Sequence, residues 1–255
     1  FHQKQKIKEI VENLIFSFDF TGDLISQEPV ILELISIVLK ESRFFIGLDI
    51  AKIVFKSFLI PTFCQINNSS VDCSEYKLPF FNSIKSLIEN NFKDLFRLDN
   101  DPIIAEKSFS LILDSLINGF KEEDAMLSNL ALDLVKTFLI KIDLHEQKFY
   151  FYNNYLIRLL DNLIISLFDG NHIFAIKAQI SVLQLLNEKC KVIHKIDDVY
   201  ARIEIFFRKF EIDSVIYLEL INTLELECES KSIEKNLLNF FKNFLNFDED
   251  EFSED

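Results

Sequence analysis

Four histidines are the side chains of this sequence best suited to acid–base chemistry or metal binding. They stand at His2, His145, His172 and His194. A zinc site on a helix needs two histidines on one face, as in HExxH, and none of the four has this spacing. Each lies beside a predicted turn, so we interpret them as surface residues and predict no metal site.

The four glycines are far apart, at Gly22, Gly47, Gly119 and Gly170. A nucleophile elbow, a dinucleotide-binding turn and a phosphate-binding loop each need two or more glycines within a few residues. The sequence therefore predicts none of these sites, and with them no cofactor and no small-molecule substrate.

Carboxylates form two clusters, Glu122-Glu123-Asp124 and Asp197-Asp198. Paired carboxylates can act as general acid and base. Both clusters fall at predicted helix N-termini, where the helix dipole favours negative charge, and this explains them better. We predict that the protein is not an enzyme. An α-helical enzyme stays open as a third hypothesis, after the two protein-binding functions given below.

Four cysteines, Cys64, Cys73, Cys190 and Cys228, form no CxxC pair and have no histidine at zinc-finger spacing. Thiols of this number are ordinary in a reducing compartment. No run of about 18 uncharged apolar residues is present, which predicts no transmembrane helix. The predicted localisation is cytoplasmic or nuclear.

The chain of 255 residues has 41 acidic against 27 basic residues, a formal net charge of −14. Nucleic-acid binders gain affinity from a basic surface, and the five arginines here are scattered. We therefore predict no direct nucleic-acid binding. A hydrophobic content of 49% predicts a large core, and four Gly with four Pro are too few for an all-β sandwich.

Nearly every apolar segment has a helical period, beginning with Ile7, Ile10, Val11, Leu14 and Ile15. Short polar turns with a capping Asp, Asn or Ser separate the segments and predict successive helical hairpins. A stretch at 61–78 with Pro61 interrupts the period and is predicted as a loop that leaves the array. Helices are predicted at 6–18, 29–40, 48–59, 79–90, 102–118, 122–140, 149–168, 171–188, 197–209, 213–227 and 232–247.

Four helices share an alanine followed eight positions later by a leucine. A small residue at one point lets a neighbouring helix approach closely, and repetition of such a unit is typical of a stacked helical array. Independent amphipathic helices in one closed bundle are the alternative. The pairs are Ala51 and Leu59, Ala105 and Leu113, Ala131 and Leu139, and Ala175 and Leu183.

The end of the sequence, residues 248–255, carries six acids and is predicted to be a disordered acidic tail following one domain at 1–247. Adjacent phenylalanines are predicted to lie mostly in the core, with some runs contacting a partner. These runs are Phe44-Phe45, Phe80-Phe81, Phe206-Phe207 and Phe240-Phe241.

The order of the helices and the Ala-Leu units resembles the armadillo/HEAT class of α-solenoids over most of residues 24–247. The stretches at 88–95 and 100–105 further resemble non-ATPase regulatory subunit 5 of the 26S proteasome. That resemblance implies a cytosolic assembly chaperone whose partners are proteasomal ATPase subunits.

The predicted fold is all-α, a right-handed α-solenoid of irregular armadillo/HEAT-like hairpins with about eleven helices. The predicted function is a non-catalytic protein-binding scaffold, first as a chaperone for assembly of the proteasome regulatory particle. The second hypothesis is a permanent structural subunit or adaptor of a large complex, of the condensin or transport-receptor type.

A solenoid leaves an extended face for a partner, lined by the second helix of each hairpin. Cations on those helices are candidates for contacting acidic segments of a protein partner. The candidate protein-binding residues are Lys93, Arg97, Arg158, Arg202 and Arg208.

Overall fold

The computed structural model describes residues 29–41, 54–67, 73–96, 102–225 and 230–246, together with Lys6, Glu9 and Asn13. Within these residues the secondary structure is helical throughout, with eleven α-helices and no strand. The all-α prediction is confirmed. Several predicted features lie outside the described residues. They are the tail at 248–255, Phe44-Phe45, most of the helix predicted at 6–18 and residues 48–53 of the helix predicted at 48–59.

The α-helices are numbered here in chain order. A π-helical segment, Phe55–Leu59, precedes α2, and a 3₁₀ turn, Ile173–Ala175, precedes α8. The helices are α1 Val30–Glu41, α2 Ile60–Ile66, α3 Ser74–Phe96, α4 Pro102–Phe120, α5 Ala125–Asp143, α6 Lys148–Asn154, α7 Leu156–Phe168, α8 Ile176–Val192, α9 Ile196–Lys209, α10 Ser214–Glu225 and α11 Ser230–Leu245.

The stretch predicted as a loop at 61–78 is helical at both ends, so that prediction is wrong there. Pro61 stands in the first turn of α2, where a missing N–H costs no helical hydrogen bond. Pro79 lies inside α3, which begins at Ser74. Pro61 thus supports a helix start and does not interrupt the helical pattern.

The helix predicted at 149–168 is two helices, α6 and α7, because Tyr155 leaves the helical conformation with φ −122° and ψ −19°. Its ring is buried and stacks on Phe151, with 5.9 Å between ring centroids. The break thus adds the Tyr155 side chain to the buried Phe151 and Tyr152. A helical period alone does not reveal this.

Aspartates in two of the predicted polar turns cap the N-termini of the helices that follow. Asp124 Oδ1 accepts a hydrogen bond of 3.0 Å from the backbone N–H of Leu127 at the start of α5. Asp213 Oδ1 accepts one of 2.8 Å from Val215 at the start of α10. Each satisfies a backbone donor that has no partner within its helix.

The chain divides into two compact units, Phe1–Ser115 with Lys141–Gln147, and Leu116–Ile140 with Lys148–Asp255. In the first unit, α3 packs on α1 and α2. Ser83 Oγ donates to the carbonyl of Leu32 at 2.8 Å, and Asn91 Nδ2 donates to that of Leu39 at 3.2 Å. Buried polar side chains of α3 thus bond the backbone of α1 directly.

In the second unit, consecutive helices pack on one another from α6 through α11. The central element is α8, which contacts α7, α9 and α11 and buries a wide face from Ile176 to Cys190. Packing between neighbours along the chain is the pattern of a stacked helical array.

The Ala-Leu units lie in the core wherever the structure describes their side chains. Ala131, Ala175, Leu139 and Leu183 are each at most 1% exposed. A side chain as small as alanine, fully enclosed, marks a point of close contact between helices.

We expect the substitution Ala131→Leu to lower the free energy of unfolding by about 1–3 kcal/mol, because the added atoms have no space in a packed core. Ala201→Leu on the exposed side of α9 is the matched control and should change it by less than about 0.5 kcal/mol. Urea denaturation of both variants measures the difference. Equal effects would contradict the role of the small residue in helix contact.

Candidate protein-binding site

The structure describes four of the five predicted binding residues. Lys93 is exposed on α3 in the first unit, and Arg97 lies outside the described residues. Arg158 is exposed on α7, and Arg202 and Arg208 stand on α9, which packs against α7. The two packed helices therefore hold three of the predicted cations.

A cleft of about 180 Å³ lies between α7 and α9, and we call it the α7–α9 cleft. Its lining is mostly apolar and includes three charged side chains. The lining residues are Asp161, Ile164, Ile165, Arg202, Ile205, Phe206, Lys209 and Phe210.

One side of the cleft is fixed by an ion pair between the two helices. Arg202 donates from Nε to Asp161 Oδ1 at 3.0 Å and from Nη2 to Oδ2 at 2.5 Å. A two-bond guanidinium–carboxylate pair sets direction as well as distance. Arg202 was predicted to contact a partner, and in the structure it holds α9 to α7.

The aromatic wall of the cleft rests on the core. The Phe206 ring lies 4.5 Å from Phe210 and 5.1 Å from Phe168, between ring centroids. Phe168 in turn contacts Phe241 and Phe244 of α11. The Lys209 ammonium lies 5.3 Å from the centroid of the exposed Phe210 ring, within the range of a cation–π contact.

The adjacent phenylalanines differ in exposure. Phe80, Phe81, Phe240 and Phe241 are buried. In the Phe206-Phe207 pair, Phe207 is buried and Phe206 is half-buried in the cleft wall. The signal for the cleft was thus present in the sequence as an aromatic run beside Lys209, but nothing in the sequence pairs it with Ile165 of α7.

The first unit carries a second, more open groove of about 470 Å³ between α1 and α3. Ser36 Oγ lies 2.9 Å from Ser86 Oγ in its wall. Two lysines and two glutamates line it, so it has no charge preference comparable to that of the α7–α9 cleft. These are Glu33, Lys40, Lys85 and Glu89.

The prediction that all histidines lie at the surface is wrong for His172. This side chain is buried, and its Nε2 lies 2.9 Å from the carbonyl oxygen of Lys121. Its Nδ1 is 3.5 Å from Asp169 Oδ1. A histidine beside a turn can close that turn against another loop, and here it joins the residues around 170 to those around 121.

Cysteine and metal chemistry find little support in the described residues. Burial raises the pKa of the Cys190 thiol to about 12, which keeps it protonated and unreactive at neutral pH. Cys73 is also buried, and Cys64 is exposed. Among the described side chains, no three His, Cys, Asp or Glu residues meet in a group that could hold a metal ion.

No single helix within the described ranges is long and apolar enough to cross a membrane. The segments Leu156–Phe168 and Ile173–Val192 reach that length and composition together, but the chain bends by 119° between them.

Stacked helices, buried small residues and an apolar cleft on the surface of two helices define a helical scaffold of the HEAT type. The sequence matches the family described as CRM1 C terminal over residues 3–199, and the chain belongs to that family. The family's domain is an exportin-type α-helical solenoid and not an enzyme family. A search of the curated proteins found no match.

The family assignment confirms the armadillo/HEAT-like solenoid prediction and gives no support to the resemblance to the proteasomal chaperone. The matched residues end within the first turn of α9, at residue 199. The wall of the cleft from Arg202 to Phe210 follows them in the sequence.

A double-mutant cycle of Arg202→Gln and Asp161→Asn should give a coupling energy of about 1 kcal/mol, because the pair is two-bonded and half-buried. The exposed pair Arg208 and Glu204 on one helix is the control, expected at less than about 0.5 kcal/mol. Urea denaturation of the single and double variants measures both cycles. A coupling energy near zero for Arg202 and Asp161 would show that the pair does not hold the helices.

The half-buried His145, next to predicted site residue Lys93, should make stability depend on pH. Burial lowers its pKa, and the charge of Lys93 lowers it further, against opposing effects of Glu146 and a backbone hydrogen bond with Lys93. Below about pH 6.5 the unfolded chain takes up the proton first, so stability falls as the pH drops through the lowered folded-state pKa.

We therefore expect His145→Gln to remove part of the loss of stability between about pH 7.5 and about pH 5.5. The measurement is the free energy of unfolding of both proteins at the two pH values, with the difference between them as the readout. An identical pH dependence in the variant and the unsubstituted protein would contradict the assignment.

Proposed function

We propose that this chain is a non-catalytic protein-binding scaffold of the transport-receptor type, acting between cytoplasm and nucleus. The observation that carries the proposal is the family match over residues 3–199, since that family relates to nucleocytoplasmic transport. It corresponds to the second hypothesis from the sequence, an adaptor of the transport-receptor type.

The geometry of the α7–α9 cleft favours a binding role over catalysis at that place. The α7–α9 cleft holds about 180 Å³, below the roughly 300–1,000 Å³ of sites that enclose small molecules. Its one carboxylate, Asp161, is bonded to Arg202 in a contact that joins the two helices. A scaffold of stacked helices instead offers a long external surface on which proteins bind.

The assembly-chaperone hypothesis has no supporting observation from the comparison, so proteasomal ATPase subunits are an alternative outcome of the test. A permanent structural subunit is another. The three differ in how partners associate: a transport receptor exchanges its partners, a chaperone leaves the finished complex, and a permanent subunit stays at fixed stoichiometry.

We expect a fluorescent fusion of the whole chain to occur on both sides of the nuclear envelope and to exchange across it after photobleaching. Native affinity purification with mass spectrometry should recover several partners, each below one copy per chain. Recovery of one complex at fixed stoichiometry, or of proteasomal ATPases without the core particle, would overturn the transport-receptor proposal.

A further inference from the structure

We propose that the α7–α9 cleft is a docking site for an acidic segment of a partner protein that carries one large apolar side chain. The proposal rests on the protein-binding function above and adds the chemistry of the partner. Its support is the combination of a mostly apolar lining, one net positive charge in that lining and a volume suited to one side chain.

The lining of the cleft offers apolar surface to a partner. Ile205 and Phe210 are 52% and 53% exposed, and Ile165 of the facing helix is 39% exposed. These three side chains converge on one cleft above the buried Ile164. Covering apolar side chains of this size contributes about 25 cal/mol per Å² removed from water.

The lining of the cleft carries one net positive charge in a chain of net charge −14. Its charged side chains are Arg202, Lys209 and Asp161. Arg202 is bonded to Asp161 across the cleft, and Arg208 is bonded to Glu204 on its own helix. Lys209 stands over the exposed Phe210 ring, where it can pair with a carboxylate next to an inserted side chain.

The volume of about 180 Å³ selects the size of the ligand group. It is too small for a typical cofactor or metabolite site and suits one aromatic or branched aliphatic side chain. An aromatic anchor in a pocket, with charged contacts at the rim, is the usual composition of a binding hot spot. The fitting ligand is therefore a Phe or Leu flanked by Asp or Glu.

The probe is a fluorescein-labelled synthetic peptide with one Phe flanked by Glu residues, titrated into the whole chain and followed by fluorescence anisotropy. Two further peptides replace the Phe with Ala or every Glu with Lys. Isoleucine methyl NMR of the same samples reports the binding position, and the signals of Ile165 and Ile205 should shift. We expect only the peptide with both Phe and Glu to bind well.

Ile205→Glu places a carboxylate in the cleft and should weaken binding at least about tenfold. Ile140→Glu on α5 is its matched control, since Ile140 is equally 52% exposed and does not line the cleft. Lys209→Glu should also weaken binding, and the control Lys235→Glu on exposed α11 surface should not. All four positions are exposed, so folding should be preserved, which circular dichroism checks.

Absence of binding, or equal binding to Ile205→Glu and Ile140→Glu, would overturn the proposal. Equal binding of the Lys peptide would overturn its charge requirement. A dimer in sedimentation that Ile205→Glu dissolves would assign the cleft to a second copy. Tighter peptide binding after deletion of residues 247–255 would assign it to that segment of the chain. The dimer and the effect of the deletion would each overturn the choice of an acidic segment of a partner protein.

The partner purification separates this inference from the proposed function. If exchanging partners are recovered equally with the unsubstituted chain and with Ile205→Glu, the scaffold function stands and the cleft assignment fails. If the peptide binds at the cleft while the chain neither exchanges across the nuclear envelope nor recovers several partners, the docking site stands and the transport role fails.

Discussion

The second unit depends on α8, which buries a wide face against α7, α9 and α11 and leaves Lys177, Glu188 and Val192 exposed. Two buried amide side chains of that face donate hydrogen bonds to neighbouring helices, while their oxygens, Gln179 Oε1 and Asn187 Oδ1, have no hydrogen-bond partner among the described residues. Removing either donated bond would leave the whole amide unsatisfied, at a cost of about 1–3 kcal/mol. Gln179 Nε2 donates to Ser166 Oγ of α7 at 2.8 Å, and Asn187 Nδ2 donates to the carbonyl of Leu224 in α10 at 2.8 Å. Lys191 Nζ bonds the same carbonyl at 3.1 Å. The buried helix thereby fixes its neighbours in direction as well as distance, and the last turn of α10 gains donors for a carbonyl that lacks one within the helix.

The position of α7 follows from the same constraint and determines the cleft. Its inner side meets α8 through Ser166, and its final residue Phe168 joins the aromatic cluster of α9 and α11. With those contacts made, Asp161 and Ile165 are turned toward α9. All lining residues of the cleft belong to α7 and α9, so no loop contributes to it. The contacts that position these two helices lie on their other sides.

Much of the fold was predictable from the sequence, because the helical period of apolar residues is a local signal. Nearly all described helices lie where the period placed them, and Asp124 and Asp213 cap as predicted. One failure is local, because Pro61 lies in the first turn of α2 and does not break a helix. The other failures have tertiary causes. Tyr155 breaks a continuous period to reach the core, and His172 is buried against the Lys121 carbonyl, some fifty residues earlier in the chain.

For the site, the sequence indicated the cations of α7 and α9. The bond of Arg202 to Asp161 joins residues 41 positions apart, and no helical period reports such a pair.

Net charge and local charge act on a partner at different distances, and this decides what the cleft can recognise. A chain of net charge −14 repels an acidic protein, but at physiological ionic strength the field of exposed charges is screened within about 8 Å. Within that distance a ligand side chain meets mainly the lining of the cleft, where Lys209 and Arg202 outnumber Asp161. A segment with many acids extends beyond this local zone and meets the acidic remainder of the surface. The arrangement thus favours a partner with a few carboxylates close to one bulky apolar side chain over a polyacidic chain, since the apolar contact supplies affinity that charge alone does not.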